Sequence, residues 1–373
     1  MIEDSSQLVA LPDRDVAAVW RSDDPPPPEG KLRAVDDTLT ADDALRRLRR
    51  GEWLLYRGNF KNARQLLTAL GRRLTPRPRR GAPPSPLETF RAERRQRHDE
   101  HETLSRLLVG LDRAARLELS DAPDVAAACR WLWGTQPAPA VLPLKLLLGI
   151  RGAFEWSVKG LEVQGLPGRL QPHYGVFTPT RGEYPELLAA IPDPKGKSVF
   201  DIGTGTGLLA FLLLARGAAR AVGTDLEPAA VACARANAER LGFAGRFEAQ
   251  ARDLFPEGRA DLVVCNPPWL PEPPRSRLDR AIFDGDRFLE RFLERLPQHL
   301  APGGQGCLLL SNLAVLLGLR PEGFLAERIE AAGLRVAWSR EARAGHPRSK
   351  DADDPLHELR ARETLALYGL AVR

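Results

Sequence analysis

Cysteine is scarce in this chain. Cys129, Cys233, Cys265 and Cys307 lie far apart, with no paired spacing suited to zinc or to a disulfide framework. That usage points to a reducing, cytoplasmic setting. Long apolar runs are lacking as well. The opening residues, Met1-Ile-Glu-Asp-Ser-Ser6, are acidic rather than apolar and predict no signal peptide. The most apolar stretch, 140–150, is interrupted by Pro143 and Lys145 and is far too short to cross a bilayer, so no membrane partner is expected. Histidine is sparse. His98-Asp-Glu-His101 has ligand-like spacing, but it sits in an arginine-rich helical stretch without a third ligand, and no metal is expected. No internal repeat is visible.

What is present is arginine, which far outnumbers lysine and leaves a formal net charge of +5 over 373 residues. That length has room for two domains with cores of their own. From Arg46 to Arg97 sixteen Lys/Arg stand against three acidic residues, a candidate contact for an anionic polymer. Residues 1–30, ending in Pro25-Pro-Pro-Pro28, read as an irregular arm. Residues 31–153 read as a mainly helical, basic domain for substrate recognition. In it, a cap near Thr40 opens a helix at 44–48, Asn62 caps another at 63–70, and helices follow at 87–118 and 124–133. Trp53-Leu-Leu-Tyr56 reads as a short strand, and the proline-rich segment 75–84, with Arg77, Arg79 and Arg80, as a basic loop. Alternation at 154–163, followed by Gly165 and Gly168, predicts a connecting β-hairpin over 154–175.

From Lys197 the pattern changes. Apolar runs at 198–203, 220–225, 246–252, 261–266, 305–311, 335–341 and 363–371 alternate with helical periodicity at 207–216, 228–241, 285–299 and 321–332. That alternation predicts an α/β fold, with a Rossmann-like, doubly wound, seven-stranded domain over 176–373.

Two strings carry the chemistry. Lys197-Ser-Val-Phe-Asp-Ile-Gly-Thr-Gly-Thr-Gly207 is a buried strand running into a glycine turn and a helix. There, bare backbone can approach a polar ligand. Nicotinamide-binding domains use glycine turns too, but with wider spacing than Gly203, Gly205 and Gly207, and with an apolar residue where this chain has Asp201. Asp225 closes the next strand, where a carboxylate can accept from two ribose hydroxyls. The second string, Asp261-Leu-Val-Val-Cys-Asn-Pro-Pro-Trp269, is another apolar strand ending in an Asn-Pro-Pro-aromatic turn. A third carboxylate, Asp253 in Ala251-Arg-Asp-Leu-Phe255, ends the strand between these two.

Together these strings resemble the class I S-adenosylmethionine-dependent methyltransferases, and within 154–315 the release-factor glutamine methyltransferases and their amino-methylating relatives. Gly175-Val-Phe-Thr-Pro-Thr-Arg181, Ala281-Ile-Phe-Asp-Gly-Asp286, Pro302-Gly-Gly304 and Ser311-Asn312 fall in the order of that family. The resemblance implies S-adenosyl-L-methionine as cofactor, held by Thr178, Asp201, Gly203, Thr204, Gly205, Gly207, Asp225, Leu226, Asp253, Leu254 and Asn266. In it Asp253 accepts from the adenine amino group and Leu254 touches the ring. The catalytic turn is Asn266, Pro267, Pro268 and Trp269. A planar nitrogen has its lone pair conjugated away. Acceptors on its N–H groups, here the Asn266 side chain and the Pro267 carbonyl, draw it towards tetrahedral geometry. Trp269 offers a flat surface for stacking, worth ~1–3 kcal/mol for a base.

Two departures touch the acceptor pocket: Trp stands where the glutamine enzymes usually carry Tyr, and Thr178-Pro-Thr-Arg-Gly-Glu183 replaces their Pro-Arg-Pro-Glu-Thr-Glu-like string. The sequence therefore reads first as an N-methyltransferase for an exocyclic amino group of a nucleic-acid base, in RNA before DNA. The alternative within the class is a protein glutamine amide methyltransferase. The alternative outside it is a catalytically silent module of the same fold that binds RNA or protein, which the retention of Asp201, Asp225 and Asn266 disfavours. His346-Pro-Arg-Ser-Lys350, between the last two strands, is a further candidate substrate contact.

Overall fold

The computed structural model describes residues 7–13, 17–30, 32–75, 85–135, 138–177, 182–275, 278–285, 287–343, 345, 351 and 354–373. The chain divides into two compact units, Met1–Pro83 with Arg91–Glu155, and Pro84–Phe90 with Trp156–Arg373.

The first unit departs from the mainly helical expectation. It is built on a six-stranded mixed sheet: β1 (Leu8–Ala10), β2 (Ala17–Trp20), β3 (Leu32–Val35), β4 (Trp53–Tyr56), β5 (Leu107–Leu111) and β6 (Ala140–Pro143), in the order β1-β2-β6-β5-β4-β3. Only β4 was legible beforehand. All of β5 and β6 is buried, and such short, continuous apolar runs carry no period that separates strand from helix. Leu107–Leu111 was thus absorbed into an expected helix, and β1 and β2 pair antiparallel inside the expected irregular arm. Helices α1 (Ala41–Arg49), α2 (Phe60–Leu74), α3 (Pro86–Leu104), α4 (Ala126–Trp133) and α5 (Leu144–Lys159) accompany the strands. Thr40 caps α1 as expected, accepting from Asp43 N–H at 3.3 Å. The cap of α2 is Asn59, accepting from Lys61 N–H at 2.8 Å, rather than Asn62; Asn62 instead donates to Asp37. The alternation read as a hairpin from 154 is largely the end of α5, and antiparallel pairing is confined there to a Leu161–Leu170 bridge.

The second unit has the expected seven strands: β7 (Ser198–Ile202), β8 (Arg220–Asp225), β9 (Phe247–Ala251), β10 (Ala260–Cys265), β11 (Leu300–Ser311), β12 (Leu334–Arg343) and β13 (Thr364–Val372). Their order is β12-β13-β11-β10-β7-β8-β9, with β9 to β11 parallel and β13 antiparallel to both neighbours. The helices are α6 (Glu183–Ala189), α7 (Leu208–Ala215), α8 (Pro228–Arg240), α9 (Phe288–His299), α10 (Leu313–Leu316), α11 (Phe324–Ala331) and α12 (His357–Ala361).

Alternation along the strands sends Val199, Leu262 and Val264 into a core with α6, α7 and α8, and Phe200, Val263 and Cys265 into a second core with α9. Helix α7, Leu-Leu-Ala-Phe-Leu-Leu-Leu-Ala, is buried almost all round, as a helix with no polar face must be. The chain leaves β7 towards β8 on one side and returns to β10 on the other. That reversal opens a crevice at the carboxyl ends of the two central strands.

Candidate functional site

Register brings the expected residues to that crevice. Cys265 lies opposite Ile202, and Ile202 opposite Thr224, so the turns opening at Asn266, Gly203 and Asp225 leave adjacent strand ends. Gly203, Gly205 and Gly207 all take positive φ, at 71°, 54° and 88°. A Cβ on Gly207 would stand 2.3 Å from the Phe211 ring, so glycine is required there twice over. A Cβ on Gly205 would meet nothing within 4 Å, which leaves bare backbone facing open space.

Asp201 is fully buried. Its Oδ2 accepts from Thr204 Oγ1 at 2.8 Å and from Ala210 N–H at 3.2 Å. Its Oδ1 is buried with no hydrogen-bond partner among the described residues. Burial pushes the carboxyl up to about 6, against the pull of those two hydrogen bonds. Asp225 Oδ2 accepts from Gly205 N–H at 3.0 Å and Oδ1 from Glu227 N–H at 3.0 Å, which ties strand β8 to the glycine loop. Burial raises its pKa too. Beside it Leu226 is 60% exposed, an apolar side chain held in the open.

Asp253 has a partner the sequence did not announce, and Leu254 is placed differently from expectation. Arg291 of α9 holds Asp253 Oδ2 in an ion pair, while Oδ1 is buried with no partner among the described residues. Leu254, at φ 56°, turns into the core beside Phe200 and Phe255, and its carbonyl accepts from Thr224 Oγ1. Thr178 lies outside the described residues, as do Arg77, Arg79, Arg80 and 346–350.

In the second turn Asn266 Oδ1 accepts from Trp269 Nε1–H at 3.0 Å, and Asn266 Nδ2 donates to Tyr184 Oη at 3.5 Å. Trp269 N–H and Leu270 N–H both donate to Ile282 O at 3.0 Å. Sequence reasoning missed the support beneath this turn. Asp284 Oδ1 and Oδ2 accept from Phe288 and Leu289 N–H at the start of α9, and Arg320 Nη2 reaches Asp284 Oδ2 at 3.3 Å, both side chains being buried. Arg320 Nη1 also donates to Trp269 O at 3.5 Å. Asp284 lies in a string that the resemblance had singled out, whereas Arg320 had no signal among so many arginines. Asn237 was missed as well: its buried amide bonds Gln171 N–H and O and Thr206 O, joining the segment before the sheet to the glycine loop.

The donor and acceptor chemistry suits S-adenosyl-L-methionine. That molecule brings ribose hydroxyls, an ammonium and an amino group, all donors, to strand ends that carry the carboxylates of Asp225 and Asp253 and the open backbone of Gly205. Asp201 gives a pH test of its burial. Its folded pKa lies above the unfolded value of about 3.9, so the native state holds the proton more tightly, and stability falls by about 3 kcal/mol as pH rises from about 4 through 6. Asp201→Asn removes that dependence. Urea melts across this range should show the parent losing stability relative to the variant; parallel curves would refute a strained carboxylate.

The comparisons with known proteins agree with this chemistry. The family model for ribosomal protein L11 methyltransferase matches residues 187–267. A relative from Methanocaldococcus jannaschii, named for protein N5-glutamine methyltransferase activity, is 34% identical over 184 residues, covering 45% of this chain and 89% of the relative. The release factor glutamine methyltransferase of Cereibacter sphaeroides is 40% identical over 164 residues, covering 40% of this chain and 56% of that protein. Among solved structures, the ribosomal protein L11 methylase of Lactobacillus delbrueckii subsp. bulgaricus aligns with a TM-score of 0.38 at 18% identity, covering 55% of this chain and 85% of that one.

The two curated relatives are named for glutamine methylation, which supports the protein-amide alternative better than the base-methylation reading. The basic block is also less basic in three dimensions than in sequence. Arg46 pairs with Asp43, Arg47 with Glu52, Arg57 with Glu118, Arg73 with Asp42 and Arg97 with Glu93. Among the described residues, no helix is long and apolar enough to cross a membrane, and no cluster of His, Cys, Asp or Glu is arranged to hold a metal ion.

Proposed function

We propose that this chain, which belongs to the class I S-adenosylmethionine-dependent methyltransferases related to the release factor glutamine methyltransferases and ribosomal protein L11 methyltransferase, methylates the side-chain amide of a glutamine in a protein. The observation that carries the proposal is the M. jannaschii relative, matched over 89% of its length at 34% identity. S-adenosyl-L-methionine supplies an electrophilic methyl group on a sulfonium sulfur. Asp225 accepts from the ribose hydroxyls, and Leu226 lends its exposed side chain to the adenine. The Gly203–Gly207 turn admits the cofactor to bare backbone, with Thr204 fixed beneath it by its bond to Asp201. Asp253, oriented by Arg291, turns its half-exposed carboxylate towards the adenine amino group, with Oδ2 accepting.

At the acceptor side, the second lone pair of Asn266 Oδ1 and the carbonyl of Pro267 take the two N–H groups of the glutamine amide. Pro267 and Pro268 stiffen the turn, because proline fixes φ. The amide nitrogen, so held, gives up planarity and exposes a lone pair. Its surplus proton leaves to water after transfer, so no general base is needed.

The test is transfer of labelled methyl groups into RNA, DNA and protein from cells lacking this chain. Label recovered as N5-methylglutamine after proteolysis is the expected result. Label released instead by nucleases, as a methylated base, would overturn the proposal and restore the nucleic-acid reading.

A further inference from the structure

The geometry points to Trp269 as a positioning residue that fixes which end of the Asn266 amide is presented to the methyl acceptor. This role rests on the acceptor-turn reading above and adds to it a function for the indole N–H, distinct from the stacking surface that any aromatic residue would supply.

A primary amide has nearly isosteric ends, one accepting and one donating. Turned one way Asn266 accepts N–H groups from a planar nitrogen, and turned the other way it repels them. The indole of tryptophan is a donor only. With Trp269 Nε1 at 3.0 Å, the atom of Asn266 opposite it must therefore be the carbonyl oxygen, because the flipped amide would set N–H against N–H. The other end faces the buried Tyr184 hydroxyl, which can donate or accept and so leaves the choice to the indole.

The lock works only if the indole is itself held: the ring packs against the core shared with α6 to α8, and the backbone that carries it is pinned. The Trp269 and Leu270 N–H groups share the Ile282 carbonyl, and Arg320 grips the Trp269 carbonyl. One lone pair of Oδ1 is spent on the indole and the second remains for the acceptor N–H. A phenol at position 269 could donate or accept, and would not impose the same choice.

Trp269→Phe keeps an apolar ring and deletes the donor. It should lower kcat on the order of three- to tenfold, the worth of one neutral hydrogen bond, with KM for the protein acceptor and the Kd for S-adenosylmethionine unchanged. If Trp269 acts through Asn266, the same substitution placed on Asn266→Ala should cause no further loss of kcat. A Trp269→Phe enzyme as fast as the parent, or losses that multiply in the double variant, would overturn the proposal.

A second readout needs no acceptor. The chain has seven tryptophans, and the indole N–H resonance that vanishes in Trp269→Phe belongs to residue 269. In Asn266→Ala that resonance should shift and exchange faster with water; an unmoved, equally protected resonance would refute the hydrogen bond. Because this measurement is independent of the substrate, a wrong acceptor class and a wrong role for Trp269 fail separately.

Discussion

Asn266→Ala should bind S-adenosylmethionine nearly as tightly as the parent yet transfer methyl groups at least ~10²-fold more slowly. The two halves of that result come from different strand ends. Asp201, the glycine turn and Asp225 lie at the carboxyl ends of β7 and β8, and their mutual bonds do not pass through Asn266. Asn266 follows β10, and its carbonyl is aimed and stiffened by the indole beside it. An acceptor placed where the N–H groups of the reacting nitrogen loosen in the transition state acts on the barrier rather than on ground-state binding, so the loss belongs in kcat. Isothermal titration with the cofactor and single-turnover transfer to the protein fraction separate the two. A variant that turns over normally would reduce the Asn-Pro-Pro-Trp turn to a strand terminator.

The catalytic half of the chain was legible because its signals are long. Each of β7 to β13 is a run of five or more residues followed by a turn or helix, and Asp201, Asp225, Asp253 and Asn266 all lie within two residues of strand ends that periodicity locates. Apart from β4 the amino-terminal sheet was not legible, since its strands are three to five residues long and several are buried throughout. Within the site, what escaped was pairing across distance. Arg291 meets Asp253 from 38 positions away and Arg320 meets Asp284 from 36. In an arginine-rich sequence no local pattern marks which guanidinium will be buried. Leu254 escaped for another reason: its left-handed backbone turns the side chain into the core, a conformation that a leucine gives no cause to expect.

Arg320→Ala should be among the most damaging single substitutions in the domain, costing about 3–5 kcal/mol, because it leaves Asp284 buried without its counter-charge. Burial already raises the Asp284 pKa and lowers that of Arg320, so desolvation outweighs the attraction between them. Without the guanidinium the Asp284 carboxyl must rise further. A carboxyl whose folded pKa exceeds its unfolded value binds its proton more tightly in the native state, so the variant's deficit should be smaller near pH 5 and grow as pH rises through that folded pKa.

The loss should also reach the acceptor turn, since Arg320 bonds the Trp269 carbonyl and Asp284 N–H donates to Leu270 O. Arg320→Met retains contact with the Phe324 ring, over which the guanidinium now lies at 4.8 Å. Combined with Asp284→Asn, which keeps an acceptor for the start of α9, it should recover much of the stability that Arg320→Ala gives up, because neither partner is then charged. Urea melts of the three proteins at pH 5 and pH 8 test the argument. If Arg320→Ala matches the parent at both values, the pair does not support the turn; if the double variant is the least stable, charge rather than packing holds it.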